Sequence, residues 1–346
     1  MGQVSASAPP VHVEDQPWMR IEHPSAVGTA RRAAAALADR LGLGESRVHE
    51  IELVVSEVAD NQLKHAGGGR LLLRAFRSTA GPGLGLVAVD GGPGIADLDS
   101  ATRDGHSTAG SLGIGLGAVL RLCDTWDAHT ALGRGTVLSV GFGNCATVDG
   151  TGPGDGGGLT RPMTGQEACG DAWAVRRDGA TVTGLLVDGL GHGPLAASAA
   201  QTAVRAFVDA DAAPPAELLA RIHRALQGTR GAAVALAQIS EASELSYAGI
   251  GNIAGHLLGD ERPRRLTSFP GIVGGAARTP REIAYRLESD TVVVLHTDGI
   301  SEKVKLDAAS GILRRTPTVI GATVLRDHGV RNDDAGVLVL RPGAEP

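Results

Sequence analysis

The segment 149–158 constrains the fold more than any other part of the sequence. Six of its ten residues are glycine (DGTGPGDGGG), and no apolar side chain in it could hold the segment against a core. Glycine-rich sequence of this kind behaves as a flexible linker. At 346 residues, the chain is long enough to bury a separate core on each side. The sequence therefore predicts two domains joined by a linker at 144–158.

Charge and cysteine usage restrict the partners and the compartment. The formal net charge is −6, so the chain presents no basic surface for nucleic acid or for an anionic membrane. No stretch approaches the ~18 to 20 apolar residues that cross a bilayer. Cys123, Cys145 and Cys169 are far apart and form no C-x-x-C pair, which predicts neither a disulfide framework nor a thiolate metal site. We expect a cytoplasmic protein with protein or small-molecule partners.

The first half predicts an α/β domain at 21–143, after a disordered tail at 1–20. Apolar residues recur at helical spacing over 25–41 and 46–65, and glycines end both runs. Apolar runs bounded by turn residues predict strands. These strands are expected at 70–76, 84–89 and 137–142. Helices packed on one face of a sheet follow from this order.

The second half, 159–341, predicts a β-rich sandwich flanked by helices. Its apolar runs are short and mostly of strand length. Strands are expected at 172–176, 181–187, 232–239, 245–248, 254–258, 291–296 and 336–340. Helices are expected near 195–209, 216–226 and 316–327.

Glu57 and Asn61 are the first candidate site residues. They are four apart on the predicted second helix, so both side chains project from one face. Such a pair could act on one ligand, with Asn61 holding Mg²⁺ on the phosphates of ATP and Glu57 orienting or deprotonating an attacking hydroxyl. A solvated helix face is the ordinary explanation for one such pair, so the interpretation depends on other motifs.

Two glycine-rich motifs supply that support. The strand at 84–89 leads into Asp90 and the turn GGPG at 91–94. An aspartate there can accept a hydrogen bond from an adenine amino group, while glycine lets a flat ring approach the backbone. The loop GSLGIGLG at 110–117 then opens an apolar helix at 118–123, whose first N–H groups are available to phosphate oxygens. Its spacing fits neither a Rossmann nor a Walker fingerprint.

Together with GRGT at 133–136, the ordered motifs resemble the GHKL (Bergerat) ATPase family, in its branch of RsbT/RsbW-type serine kinases. The similarity covers roughly 21–143. It implies ATP and Mg²⁺ as cofactors, with Glu57 as catalytic base, Asn61 as magnesium ligand and Asp90 as adenine anchor. The resemblance assigns the remaining nucleotide contacts to Gly92, Gly94, Gly113, Gly115, Gly117 and Thr136.

Four aspartates stand at the edges of apolar strands in the second half: Asp171, Asp188, Asp298 and Asp333. Strand ends can converge, and oxygen-only ligands suit Mg²⁺ or Mn²⁺. A pair of such ions can activate a bridging water and clamp a phosphoryl group. Asp-Gly pairs are also typical of hairpin turns, but four aspartates in equivalent positions favour a metal site.

The sequence around these aspartates resembles the SpoIIE/RsbX branch of the metal-dependent protein phosphatases. The matching motifs are CGDAW at 169–173, DGLGHG at 188–193, GIGN at 249–252, HTDG at 296–299 and NDD at 332–334. The resemblance implies a four-layer αββα sandwich and two Mn²⁺ or Mg²⁺ ions. It assigns metal contacts to Asp171, Asp188, Asp298, Asp333 and the carbonyl of Gly189, with Asp188 bridging both ions.

One departure from that family follows the last aspartates. The family usually has Thr or Ser there, whereas this chain has Ala335 and Gly336. The departure predicts a missing polar support near the metal and weak turnover.

The two resemblances imply a bifunctional partner-switching regulator of the stress-response type. Its first domain would phosphorylate a Ser or Thr of a STAS-domain anti-sigma antagonist, and its second would dephosphorylate such a protein. The alternative is an ATP-binding module without significant kinase activity, which binds a sigma factor or activates another phosphatase. Retention of both Glu57 and Asn61 favours catalysis.

Overall fold

The chain divides into two compact units, residues 12–147 and the chain from residue 148 onward. Each unit has its own hydrophobic core. The structure is a computed structural model, and it describes residues 12–78, 81–102, 116–145, 156–259, 263–276, 279–288, 290–307, 310–330 and 332–342.

The first unit is built on one antiparallel sheet. Its strands run in the order β1-β3-β4-β6-β5, and β2 also pairs with β3. The strands are β1 His12–Asp15, β2 Met19–Ile21, β3 Gly69–Ser78, β4 Gly81–Val89, β5 Thr125–Ala131 and β6 Gly135–Gly143. The central strand β4 is buried along most of its length, and its Leu84, Leu86 and Ala88 belong to the core that the helices cover.

Two long helices, α1 Pro24–Arg40 and α2 Glu45–Ala66, form that cover. Their buried residues follow the helical period expected of an amphipathic helix. Helix α2 ends at Gly67, whose φ of +69° is the left-handed conformation that glycine adopts without strain. Two short helices, α3 Leu98–Ala101 and α4 Leu116–Leu120, follow in the chain.

The expected disordered tail at 1–20 is wrong from residue 12 onward. Strands β1 and β2 both pair with β3. Arg74 is fully buried in β3, and its Nε donates to Asp15 Oδ1 at 2.7 Å. A buried ion pair with hydrogen-bonding geometry fixes the position of β1 on the sheet.

Strand β5 was not expected from the sequence. Its residues, TWDAHTA, lack a clear alternation of apolar and polar side chains, and only Ala128 and His129 are buried. Pairing with β6 creates the strand, because β6 supplies a complete partner from residue 135 to 141. Tertiary pairing therefore overrides a weak local pattern.

The second unit contains two five-stranded antiparallel sheets packed face to face. Their strand orders are β14-β11-β10-β9-β8 and β13-β12-β15-β16-β7. The strands are β7 Gly156–Arg161, β8 Asp171–Asp178, β9 Thr181–Gly189, β10 Ala232–Ile239, β11 Glu244–Ile250, β12 Ala254–Leu258, β13 Arg264–Leu266, β14 Ile283–Arg286, β15 Val292–His296 and β16 Ala335–Leu340.

Helices cover the outer faces of both sheets. Helices α5 Pro194–Val208 and α6 Pro215–Ala225 pack on the first sheet, and α7 Pro317–His328 packs on β7 and β16 of the second. A short 3₁₀ helix, Ile312–Arg314, precedes α7. The expected four-layer αββα sandwich is confirmed. None of the helices that the structure describes is long and apolar enough to cross a membrane.

The end of the glycine-rich segment belongs to the sandwich and not to a linker. Gly156, Gly157 and Gly158 form the start of β7 and pair with β16. A Cβ on Gly158 would lie 2.6 Å from the Trp173 ring, and one on Gly156 would lie 2.3 Å from Leu340. Glycine is needed at 158 because Trp173 of the other sheet lies against it, and at 156 because its cross-strand partner Leu340 leaves no room for a Cβ. The glycine-rich composition suggests a flexibility that pairing removes at 156–158.

Candidate functional sites

A cavity of about 520 Å³ opens at one end of the sheet in the first unit. Glu57 and Asn61 line it from α2, and Asp90, Gly94 and Thr136 line it from the strand ends and the turn after β4. The structure thus brings together residues that lie up to 79 positions apart in the sequence. Its walls combine these polar groups with apolar side chains, as is typical of small-molecule sites.

The Asp90 carboxylate is held by the backbone around it. Its Oδ1 accepts hydrogen bonds from the N–H groups of Gly92 at 2.9 Å and Thr136 at 3.1 Å. The Asp90 N–H in turn donates to the Thr136 carbonyl at 3.0 Å. Within the described residues, Oδ2 has no hydrogen-bond partner. The carboxylate is therefore fixed in orientation and keeps one oxygen for a ligand in the cavity.

The turn after β4 requires glycine because neighbouring residues leave no room for a Cβ. Gly94 has a φ of +76°, and a Cβ there would lie 2.5 Å from the Ala131 carbonyl oxygen. A Cβ on Gly92 would lie 2.5 Å from the Ala66 side chain. These contacts close the cavity wall, so the two glycines have a packing role in addition to the nucleotide role expected of them.

Two supporting residues were missed by the sequence interpretation. Gln62 is 4% exposed, and its Nε2 donates to the carbonyls of Arg70 and Val89 at 3.2 Å each, which ties α2 to β3 and β4. Thr130 Oγ1 accepts the N–H of Ile95 at 2.7 Å. A signal for Gln62 was available, because it continues the buried stripe of α2 although it is polar.

The glycine loop is only partly described. Gly113 and Gly115 lie outside the described residues. Gly117 is buried in α4, whose Leu116 and Leu120 contribute apolar wall to the cavity.

A second cavity, of about 540 Å³, lies in the second unit and is acidic. Asp188 lines it from the end of β9, Asp298 from the turn after β15, and Asp333 from the turn before β16. Asp171 stands directly opposite Asp188 on β8 and is 4% exposed. The four predicted strand-edge aspartates therefore occupy one region of the sandwich, where both sheets end.

Burial and mutual repulsion raise the pKa values of three of these carboxyl groups. Burial, followed by the charges of Asp298 and Asp333, raises the pKa of Asp188 to about 7. Burial and the Asp188 charge also raise the pKa of Asp171 well above its usual range. Asp298 is exposed, and its pKa is raised by desolvation and by Asp333. Like charges held this close disfavour ionisation unless a cation compensates them.

Thr297 supplies a polar support that the sequence did not suggest. Its Oγ1 donates to Asp171 Oδ2 at 2.7 Å and accepts the N–H of Gly336 at 2.8 Å. A Cβ on Gly336 would lie 3.1 Å from the same Asp171 oxygen. A hydroxyl from the end of β15 therefore contacts the carboxylate, and Gly336 leaves room for it, while weak turnover from Ala335 and Gly336 stays a prediction.

Asp333 and Asp334 have different surroundings. Asp334 is 4% exposed, and its two oxygens accept the N–H groups of Met163 at 2.7 Å and Gly170 at 2.8 Å. Asp333 lines the acidic cavity. Asp298, another carboxylate of this cavity, accepts a hydrogen bond from Asn252 at 2.8 Å. Asp334 therefore fixes backbone near the site, which leaves Asp333 as the member of the pair that faces the cavity.

The residues DGLGHG shape one side of the acidic cavity. Gly189 is buried, and a Cβ there would lie 2.3 Å from the Ala196 carbonyl oxygen. His192 is exposed and lines the cavity. Among the described residues, no three His, Cys, Asp or Glu side chains are close enough to form a complete metal-ligand cluster.

Taken together, the two folds and the two cavities define a fusion of a kinase-like ATPase domain with a phosphatase-type αββα sandwich. The histidine kinase-like ATPase domain family matches residues 22–142, and the stage II sporulation protein E (SpoIIE) family matches residues 178–341. The chain belongs to the kinase-like ATPase family through its first domain and carries a SpoIIE-type phosphatase domain behind it.

Individual relatives agree with this division. The serine/threonine-protein kinase RsbT of Bacillus subtilis (strain 168) is 35% identical over 128 residues, which are 37% of this chain and 96% of RsbT. The phosphoserine phosphatase RsbX of the same organism is 25% identical over 143 residues, which are 40% of this chain and 70% of RsbX.

One solved structure comes from work on the bacterial stressosome as a modular system adapted to control secondary messenger signalling. It superposes with a TM-score of 0.50 at 30% identity, and covers 54% of this chain and 98% of that chain.

Proposed function

We propose that this protein is a bifunctional partner-switching regulator. Its first domain transfers the γ-phosphate of ATP to a Ser or Thr of a STAS-domain antagonist protein, and its second domain hydrolyses such a phosphoester. The observation that carries the proposal is that each unit has a cavity of its own: Glu57, Asn61 and Asp90 line the first, and Asp188, Asp298 and Asp333 line the second.

In the first domain, some cavity residues would bind ATP and another would assist phosphoryl transfer. Asp90 Oδ2 is free to accept the adenine amino group, because Oδ1 is occupied by two backbone N–H groups. Asn61 would hold Mg²⁺ on the phosphates. Glu57 lies one helical turn earlier on the same face and lines the same cavity, so it can accept the proton of an attacking hydroxyl.

In the second domain, the donor set fits a hard cation. All four candidate side chains are carboxylates, the oxygen ligands that Mg²⁺ and Mn²⁺ prefer. Burial, followed by the charges of Asp298 and Asp333, raises the pKa of Asp188, so a cation in this cavity would be favourable. Asp171, Asp188, Asp298, Asp333 and the Gly189 carbonyl would hold Mn²⁺ or Mg²⁺, which supplies an activated water and a clamp on the phosphoryl group. Thr297 and Asn252 hold two of these carboxylates in place.

Intact-mass analysis tests both activities. The purified chain is incubated with a STAS-domain protein, ATP and Mn²⁺, and the mass of the STAS protein is followed over time. A gain of one phosphoryl group, which is removed again once ATP is exhausted, is the expected result. Turnover of p-nitrophenyl phosphate that persists after metal chelation would contradict the phosphatase assignment.

The same assay distinguishes the alternative function. If the first domain only binds a sigma factor or another phosphatase, ATP binding will be detected without transfer to any STAS protein, even when the phosphatase domain is inactive. The shared position of Glu57 and Asn61 in one cavity favours transfer.

A further inference from the structure

The mouth of the acidic cavity carries three side chains that the proposed hydrolysis does not use. Leu190 and Ile272 line this cavity together with Asp188, and each is 38% exposed. Arg230 lies beside Gly191, another lining residue. Exposed apolar side chains at a cluster of carboxylates are not explained by metal chemistry, and surfaces of this kind commonly bind a partner.

The backbone on both sides of Arg230 is fixed. The Thr229 hydroxyl donates to the Leu226 carbonyl at 2.7 Å and accepts the Gly231 N–H at 3.0 Å. The Leu190 N–H donates to the Gly231 carbonyl at 3.1 Å, which joins this turn to the DGLGHG loop. Arg230 is therefore presented from an ordered turn although its side chain is exposed.

The Arg230 guanidinium lies beside Gly191, a residue that lines the cavity, and has no competing partner among the described residues. Its Nη1 lies 3.0 Å from the position that a Cβ on Gly191 would occupy, and Gly191 has a φ of +87°. With the other described residues it makes no ion pair or hydrogen bond. An exposed arginine without a partner, next to a cavity suited to phosphoester chemistry, can offer two parallel N–H donors to a phosphate group.

The two apolar side chains converge beside this arginine. A Cβ on Gly231 would lie 2.6 Å from Ile272 Cγ2 and 3.5 Å from Leu190 Cδ1. The φ of Gly231 is +80°, so glycine allows the turn and the close approach of both side chains. Charge and apolar surface are thus adjacent at one side of the cavity mouth.

Building on the phosphatase function proposed above, we infer that this mouth recognises a phosphorylated protein segment. Arg230 binds the phosphate group, and Leu190 and Ile272 contact an apolar side chain next to the phosphorylated residue. The substrate class is a phosphoserine or phosphothreonine with an apolar neighbour in the protein sequence. Arg230 would add a positive charge and N–H donors for the phosphate beside the metal ions proposed for the cavity.

Steady-state kinetics of the full chain with Mn²⁺ tests the role of Arg230. The substrates are p-nitrophenyl phosphate and two phosphoserine peptides that differ only in a Leu or a Ser after the phosphoserine. Arg230→Ala should raise KM about 10-fold or more on all three, with a smaller change in kcat, because it removes a charge-assisted contact to the phosphate. Arg230→Lys should restore part of the loss. Arg224→Ala, an exposed arginine on α6, is the matched control and should leave KM unchanged.

The two peptides test the apolar rim. The wild-type protein should have a higher kcat/KM for the Leu peptide, and the double variant Leu190→Ser with Ile272→Ser should bring the ratio of the two values close to one. Wild-type KM values in Arg230→Ala, or equal kcat/KM for both peptides in the wild type, would overturn the inference while the phosphatase function stands. If the wild type hydrolyses none of the three substrates with Mn²⁺, both proposals fail together.

Discussion

The cavity of the first unit and the acidic cavity of the second are similar in volume but differ in how their charged groups are held. In the first unit, Asp90 is fixed by two backbone N–H groups. In the second, burial, followed by the charges of neighbouring carboxylates, raises the pKa of Asp188 to about 7. The first arrangement is complete before a ligand arrives, whereas the second is electrostatically unfavourable until a cation joins it. Pre-organisation therefore suits recognition of a neutral ring, and unbalanced charge suits metal binding.

Asp188→Asn should have the largest effect, and this effect should be confined to the acidic cavity. Loss of a supporting residue around a metal typically costs ~10 to 100-fold, so loss of the bridging ligand should lower Mn²⁺-dependent turnover of p-nitrophenyl phosphate by more than ~100-fold. ATP affinity, measured by calorimetry, should not change. Asp211→Asn, at an exposed site in the same unit, is the control. Near-normal turnover by Asp188→Asn would remove this carboxylate from the mechanism.

Glu57→Gln should have the opposite pattern: phosphoryl transfer by the first domain is lost, and phosphatase turnover by the second is kept. The substitution keeps the shape of the side chain but removes its ability to accept a proton, so transfer to the STAS protein should slow by ~100-fold or more. Magnesium-ATP binding and phosphatase turnover should remain. On a shared substrate this variant should favour the unphosphorylated form, and Asp188→Asn the phosphorylated form. Wild-type transfer by Glu57→Gln, followed by intact mass, would refute the catalytic role.

Thr297→Val asks whether the acidic cavity needs its hydroxyl support. The change removes the donor to Asp171 and leaves the Gly336 N–H without its acceptor. Phosphatase kcat/KM should fall by ~10 to 100-fold, as for other groups that orient metal ligands. Thr297→Ser keeps the hydroxyl and should retain most of the activity. Equal activity of the Val and Ser variants would show that the hydroxyl is dispensable.

Asp90→Asn should have a moderate effect confined to the first cavity. The remaining Oδ1 can still accept from Gly92 and Thr136, but an amide donor then replaces the oxygen that would face the adenine amino group. ATP binding should weaken by about 1 to 3 kcal/mol, the usual loss for a disrupted hydrogen bond to a charged group. Unchanged affinity in calorimetry would place the adenine elsewhere.

His256→Gln should change how the free energy of unfolding depends on pH below neutrality. His256 is 4% exposed, and burial, followed by the charges of His296 and Arg265, lowers its pKa from 6.5 to about 4. The unfolded chain therefore takes up this proton at a higher pH than the folded chain. Stability is complete above pH ~6.5 and declines as the pH falls toward 4.

Urea titrations of the wild type and His256→Gln at several pH values measure this decline. The difference between the two free energies of unfolding should change between pH 6.5 and 4 and stay constant above that range. His23→Gln, at an exposed histidine in the first unit, is the control for a His-to-Gln substitution outside the pair of His256 and His296. A difference that is constant across all pH values would contradict the assignment to His256.

The sequence alone determined the two-domain division, the order of the nucleotide motifs and the position of the four strand-edge aspartates. These features could be predicted because they depend on local periodicity, glycine content and residue spacing. Helices α1 and α2 differ by about one residue at each end from the predicted 25–41 and 46–65.

Only the tertiary structure decided which residues support the sites. Strand β5 exists because β6 pairs with it, and Gly156 to Gly158 form a strand because β16 pairs with them. The support of Asp171 by Thr297 joins residues 126 positions apart, a distance over which no sequence period carries information. Long-range hydrogen bonds and close backbone approach depend on where whole elements pack, and that packing is a property of the folded chain.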